Sequence, residues 1–280
     1  MRSEESHEAQ GAPSPDTSHG DRAGAGGYQS VAQPASPVHP SVHPSVHASF
    51  QGGLGAAGEQ ISPEELKGFI STLRSPDEDR CTAYINDLLG RGINAETIFL
   101  ELLDSAAVRL GEMWDDDDCD FVDVTVALGR LQRILRDLSH QFLADRATTE
   151  MVGRVLLSSI PGEQHTLGLF MVAEFFIREG WDVRIGAPLS ASELGSLVRE
   201  TRFDVVGFSV ASSERLSHVK RTIRQLRRDS QNRSLSVLVG GPVFRARPTL
   251  ATQVGADGTA GDARTAPTIA RLLISQGDAC

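Results

Sequence analysis

The apolar residues of this chain follow two different rhythms. Between residues 60 and 147 they recur every three or four positions, the spacing of one buried helix face. Ser62-Pro63-Glu64-Glu65 has the form of a capping box with proline at the first helical position, and Ile61 and Leu66 are placed for a hydrophobic staple. Ser75-Pro76-Asp77-Glu78 reads as a second start, followed by an apolar face of Tyr84, Ile85, Leu88 and Leu89 that ends at Gly90. Asn94 caps a third pattern through Ile98, Leu102, Ala106 and Leu110 to about Trp114. A fourth runs from about Asp123 to Ala144 with Val124, Leu128, Leu131, Leu135, Leu138 and Phe142 along one stripe. Four amphipathic helices with short connections predict a four-helix bundle over 60–147.

From residue 151 to 280 the rhythm changes to short strand-like runs, at 155–160, 182–185, 204–210 and 236–239, with a weak one at 258–260. Unbroken apolar runs belong to parallel strands covered on both faces. Helix-patterned segments alternate with them at about 167–179, 190–201, 214–228, 244–254 and 265–275. Alternating strands and helices predict a flavodoxin-like (Rossmann-like) α/β domain with a parallel sheet. Residues 1–58, rich in Ser, Gly, Pro and His, lack the apolar periodicity needed to offset chain entropy and read as a disordered tail. Within it Val-His-Pro-Ser repeats carry His39, His43 and His47, and Pro40 and Pro44 rule out a helix aligning them.

Charge and cysteine content narrow the function. The formal net charge is −10. Acidic residues dominate up to residue 150 and basic ones exceed them beyond it, which argues against a whole-chain nucleic-acid binder but permits a local basic patch. Lys220, Arg221, Arg224, Arg227, Arg228 and Arg233 form such a patch, suited to phosphates or an acidic partner and equally readable as a solvated helix face. Cys81, Cys119 and Cys280 show no pairing pattern, in keeping with a reducing cytoplasm. No apolar run approaches a membrane span, so no membrane association is expected. The aspartates at 115–118 read as a solvated loop near a helix start rather than a cation site, because consecutive residues converge poorly on one ion.

Candidate chemistry gathers at the carboxyl ends of the strand runs, where open α/β sheets bind ligands. Glu163 and His165 follow the first run, and Ser209, Ala211, Ser212 and Ser213 close the third. Gly240-Gly241-Pro242 follows the fourth, and Gly261-Asp262 the fifth. Small residues at adjacent loops leave room for a bulky ligand close to the backbone. Neither dinucleotide nor nucleotide-triphosphate fingerprints are present.

The stretch Glu163-Gln164-His165-Thr166-Leu167-Gly168 resembles the Asp-x-His-x-x-Gly motif of cobalamin-binding domains, with glutamate in place of aspartate. Ser209-Val210-Ala211 resembles that family's Ser-x-Leu, Gly240-Gly241 its double glycine, and Gly255-Ala256-Asp257-Gly258 its fifth-strand signature. The resemblance spans about residues 60–275 and implies that the bundle caps the corrin. It assigns His165 as ligand to the cobalt of cobalamin, oriented by Glu163. The cofactor's displaced nucleotide tail would lie beside Ser209, Ser213, Gly240 and Gly241, with Gly168 keeping the helix start clear and Trp114 covering the upper face. Relatives that carry methyl groups or sense light place Glu-His about ten residues after that tryptophan; here Val124-Thr125 stand there, leaving His140 or a tail histidine such as His47 as substitutes. The Trp–acidic–Asp-Val-Thr segment and the glutamate variant resemble the AerR/PpaA group of purple photosynthetic bacteria. That resemblance implies a light-responsive, non-enzymatic antirepressor of photosynthesis genes acting with a PpsR/CrtJ-type repressor. A corrinoid methyl-carrier subunit is the alternative.

Overall fold

Ser62 opens the first helix as its sequence implies. Its hydroxyl accepts from the Glu65 amide at 3.2 Å, and the Glu65 carboxylate accepts from the Ser62 amide at 2.8 Å. In the computed structural model, residues 60–144, 150–160, 166–186 and 189–277 are described. The tail with its histidine repeat, Cys280, Glu163, Gln164 and His165 lie outside them.

Helix α1 (Pro63–Leu73) is followed by α2 (Asp79–Gly90). The expected cap at Ser75 does not form. The Ser75 hydroxyl accepts from Asp77 and the Asp77 carboxylate from Asp79, each two residues on, so the Pro76 turn uses the donors and the helix starts late. The helix ends at Gly90 as expected, and the left-handed residue that closes it is Gly92, two positions on. Its φ of +90° lets the Gly92 amide reach Leu89 and the Ile93 amide reach Leu88.

Helix α3 (Ala95–Thr97), capped by Asn94, a π-helical segment (Ile98–Leu103) and α4 (Asp104–Asp115) run on without a break. Asp117, at φ 60°, closes this helix in the position usually given to glycine. The Asp120 carboxylate accepts from the Asp123 amide at the start of α5 (Phe121–Ala144). Phe69, Leu88, Phe99, Leu110, Leu131 and Phe142 belong to the buried core that these helices share.

Five parallel strands follow in the order β2-β1-β3-β4-β5, the flavodoxin-like order that the run alternation predicts. They are β1 (Arg154–Ser159), β2 (Asp182–Ile185), β3 (Val205–Ser209), β4 (Ser236–Gly240) and β5 (Gly258–Thr259). Helices α6 (Leu167–Arg178) and α11 (Ala266–Gly277) cover one face, through Leu169, Ala173, Phe176, Ala266 and Ala270 against Val155, Leu157, Val205 and Leu238. The other face packs on α7 (Ala191–Glu200), α8 (Leu216–Asp229), α9 (Pro242–Ala246) and α10 (Leu250–Val254). The pattern at 244–254 predicts one helix, but two short ones form. Pro248 has no amide hydrogen and pushes Arg247 out of helical geometry, to φ −141° and ψ 81°.

Helix α6 is apolar on two sides. Leu167, Met171 and Phe175 join the core of the N-terminal helices, while Leu169, Ala173 and Phe176 face the sheet. The buried Ser139 hydroxyl donates to Glu174 at 2.6 Å, and the Phe142 ring lies 4.8 Å from Phe175 and 4.7 Å from the Arg178 guanidinium. These contacts advance together along both helices, so α5 and α6 run the same way. At 1.5 Å per residue, Ser139 lies about 27 Å from the start of α5, whereas Glu174 lies about 10 Å from the start of α6. The first half of α5 therefore projects past the beginning of α6, toward the carboxyl edge of the sheet. No helix among the described residues is long and apolar enough to cross a membrane.

Candidate functional site

Strand register builds the site. Ser159 of β1 pairs with Ser209 of β3, and Ser209 pairs with Gly240 of β4. Ala260 follows β5 and donates its amide to Val239, which brings it beside Gly240. The carboxyl edge thus ends in a row of small residues: Ser159, Ser209, Gly240 and Ala260. Two residues back on the same strand faces stand Leu157, Gly207, Leu238 and Gly258. That row is filled, since a methyl on Gly207 would lie 2.7 Å from Leu157. Among the described residues this leaves the strand ends, where β1 and β3 mark the switch in strand order, as the place for a ligand.

The two glycines after β4 do different work. Gly241 has φ +96° and ψ 176°, a region open essentially to glycine alone, and a Cβ there would come within 2.6 Å of the Val210 carbonyl oxygen. It locks the β4–α9 turn against the end of β3. Gly240 has ordinary space, its nearest neighbour being the Ala260 carbonyl at 3.6 Å, so its missing side chain leaves the edge open. Gly168 is exposed in the first turn of α6, and a Cβ added there would meet nothing within 4 Å. Ser158 is buried behind this edge and donates to the Gly186 carbonyl at 2.5 Å, tying the end of β1 to the end of β2.

The N-terminal helices reach this edge from the side of β4 and β5. Glu96 accepts from Arg178 at 2.6 Å and from Arg264, on the loop after β5, at 2.5 Å. Asp104 lies 3.6 Å from Arg245 of α9, four residues past Gly241. Burial pushes the Asp104 carboxyl above the ordinary range, against the opposing pull of Arg245. Farther along α4 and α5, Val108 and Phe121 are exposed, and Trp114 meets Phe121 edge-on at 6.3 Å.

The structure thus gathers Ser209, Ala211, Gly240 and Gly241 on adjoining strand ends, with Gly168 at the start of the neighbouring helix. Ser213 is exposed in a short turn (Ser213–Arg215) ahead of α8. Trp114 stands in the N-terminal helices with Phe121 as its ring partner. Glu163 and His165 lie outside the described residues. His140 is exposed on α5, one residue beyond the Ser139 that faces α6 and about 22 Å along the helix from Thr125. Sequence reasoning missed Ser159 and Ala260. Ser159 carried a signal, a hydroxyl ending an apolar run; Ala260 carried none. It missed Asp104 and Arg245 as well, because their pairing is visible only in three dimensions. On α8, Lys220, Arg221, Arg224, Arg227 and Arg228 are exposed, and the Arg227 Nη2 donates to both carboxylate oxygens of Asp257 at 2.8 Å. Burial and the adjacent Arg221 and Arg215 hold the His218 imidazole below its ordinary value.

A parallel sheet with small residues along its carboxyl edge, packed against a helical unit, is an α/β domain of the kind that binds ligands at its strand ends. Residues 153–270 match the B12 binding domain. The chain is 33% identical over 165 residues to an uncharacterized 20.5 kDa protein in the bchF-crtJ intergenic region of Rhodobacter capsulatus, covering 59% of this chain and 85% of that one. It is 23% identical over 208 residues to a corrinoid protein of Desulfitobacterium hafniense, covering 71% and 93%. The monomethylamine corrinoid protein of Methanosarcina barkeri shares the fold, with a TM-score of 0.64 at 14% identity over 75% of this chain and 98% of that one. The chain belongs to the B12-binding domain family, as an AerR-type member, and its cofactor is cobalamin. The residues present fit that cofactor: among the described residues, the edge has room at Gly240 and Gly168 and is filled one row behind at Gly207.

Proposed function

We propose that this chain is a cobalamin-dependent, light-responsive regulator of photosynthesis genes rather than an enzyme. In this reading it works in the cytoplasm as an antirepressor with a PpsR/CrtJ-type repressor. The observation that carries the proposal is the 33% identity to a protein encoded beside crtJ. Cobalamin would supply a cobalt–carbon or cobalt–oxygen bond sensitive to light or ligand exchange. His165 would hold the cobalt through a neutral imidazole nitrogen, and Glu163 would accept from the other ring nitrogen and fix its orientation. Ser209, Ser213, Gly240 and Gly241 would accommodate the nucleotide tail, and Trp114 with Phe121 would shield the opposite face from water. Lys220, Arg221, Arg224 and Arg228 offer a modest, salt-sensitive contact to DNA phosphates; Arg227, already paired with Asp257, contributes less.

The test uses the full chain loaded with cobalamin. Absorption spectra before and after illumination are expected to differ, and co-elution with the repressor is expected to follow the same change. His165→Ala is expected to abolish the bound-cobalamin bands. Retained stoichiometric binding would overturn the ligand assignment, and repressor association independent of cobalamin and light would overturn the regulatory role. The second reading, a methyl-carrier subunit, is favoured by the similarity to the Desulfitobacterium corrinoid protein. Methyl transfer from loaded protein to an acceptor enzyme would establish it instead.

A further inference from the structure

The contacts between the N-terminal helices and the α/β domain are uneven. On one side α5 lies along α6 through Phe142, Phe175 and the buried Ser139–Glu174 hydrogen bond. Near the start of α3, Glu96 is held by two guanidiniums at 2.6 and 2.5 Å. On the side of β4, by contrast, the ion pair between Asp104 and Arg245 is long, at 3.6 Å, with both side chains partly exposed. Arg245 sits on the short helix that begins immediately after Gly240-Gly241.

The helix carrying both carboxylates has an unusual winding. Glu96 and Asp104 are eight residues apart, which in a regular α-helix would aim them about 80° apart. The π-helical segment Ile98–Leu103 lies between them, and the Asp104 amide reaches back five residues to Phe99. A π segment winds less per residue than an α-helix, so it turns Asp104 back toward the face that Glu96 occupies. Both carboxylates then address arginines of the α/β domain.

We propose that Asp104–Arg245 is a releasable latch, aimed by the π segment, through which the helical cap closes over the carboxyl edge of the sheet. The α5–α6 contact and the Glu96 pairs stay fastened. Breaking the latch lets the α4 side of the cap swing away from α9, and the edge opens for cobalamin to enter. The two partners are unequal. Arg245→Gln leaves a partly desolvated carboxylate at Asp104 without its counter-charge, whereas Asp104→Asn removes the charge itself. Arg245→Gln therefore opens the cap more.

Stopped-flow absorbance with excess cobalamin tests this in the full chain. Association is expected to quicken about threefold to fivefold in Arg245→Gln and less in Asp104→Asn, a range set by the modest strength of partly exposed ion pairs. High salt is expected to quicken the parent protein and leave the variants unchanged. The reversed pair Asp104→Arg with Arg245→Asp is expected to restore slow association. In cofactor-free protein, hydrogen exchange of amides 104–115 and 243–247 is expected to rise in Arg245→Gln and stay unchanged in Glu96→Gln. Association at the parental rate in both single variants, with unchanged exchange, would overturn the latch. A protein that takes up no cobalamin but shows the exchange difference would keep the latch and count against the entry role.

Discussion

The adjacent glycines after β4 make opposite predictions, and the structure gives the size of each. In Gly241→Ala the new methyl runs into the backbone of Val210: its carbonyl oxygen at 2.6 Å, its amide nitrogen at 2.9 Å and its carbonyl carbon at 3.1 Å. No rotamer relieves that, because the obstruction is main chain. The φ of +96° adds a conformational cost of about 1–3 kcal/mol. With the clash included, a loss of about 3 kcal/mol or more is expected, which for a domain of this size lowers Tm by roughly 6–12 °C. Gly240→Ala carries no such load, with 3.6 Å to its nearest neighbour and no positive φ. Its cofactor-free stability is expected to stay within about 0.5 kcal/mol of the parent. Its cobalamin affinity is expected to fall, because the methyl occupies the open edge. Thermal unfolding of cofactor-free protein and spectrophotometric titration with cobalamin separate the two effects. Parental stability in Gly241→Ala would refute the turn-locking account, and parental cobalamin affinity in Gly240→Ala would refute the recess.

Three further outcomes follow from other contacts. Arg130 is buried and donates to the carbonyls of Leu73 and Ser75 at the end of α1; Arg130→Met is expected to cost about 2–3 kcal/mol in urea unfolding. Glu65, held low by the Ser62 amide and by Arg91, stabilises the fold fully above its ordinary value of 4.5, and that contribution is lost as pH falls through its lower folded value. Glu65→Gln is thus expected to lose about 1 kcal/mol at neutral pH, with the difference from the parent closing below about pH 4.5 in thermal scans. Arg221→Gln is expected to raise the His218 titration midpoint in an NMR pH series, because it removes one of the positive charges that hold it down.

Much of this architecture is legible in the order of residues alone. The runs at 155–160 and 236–239 announce buried parallel strands, and each lies within one residue of the observed boundary. Ser62 and Asn94 announce their helices because side-chain capping is a local event. Ser75 misleads for the same local reason: a hydroxyl before proline serves a turn as readily as a helix. The π segment leaves no trace in the spacing of Ile98, Leu102 and Ala106, which suits an α-helix equally well. At the site, Ser209, Gly240 and Gly241 are conspicuous as small residues after apolar runs. The division of labour between the glycines is not, since it depends on how closely Val210 approaches. Ala260 and the Asp104–Arg245 pair are invisible because register and tertiary packing create them.

The double-sided apolar surface of α6 has an architectural consequence. A helix that belongs to two cores cannot be assigned to either neighbour, so the sequence boundary near residue 147 is not a thermodynamic one. Cutting there would expose Leu167, Met171 and Phe175 on one fragment and the groove that receives them on the other. Cap and sheet should accordingly melt in a single transition. A cap transplanted from a relative would be tolerated only with a matching α6, so substitutions on this helix and on the second half of α5 are constrained to change together.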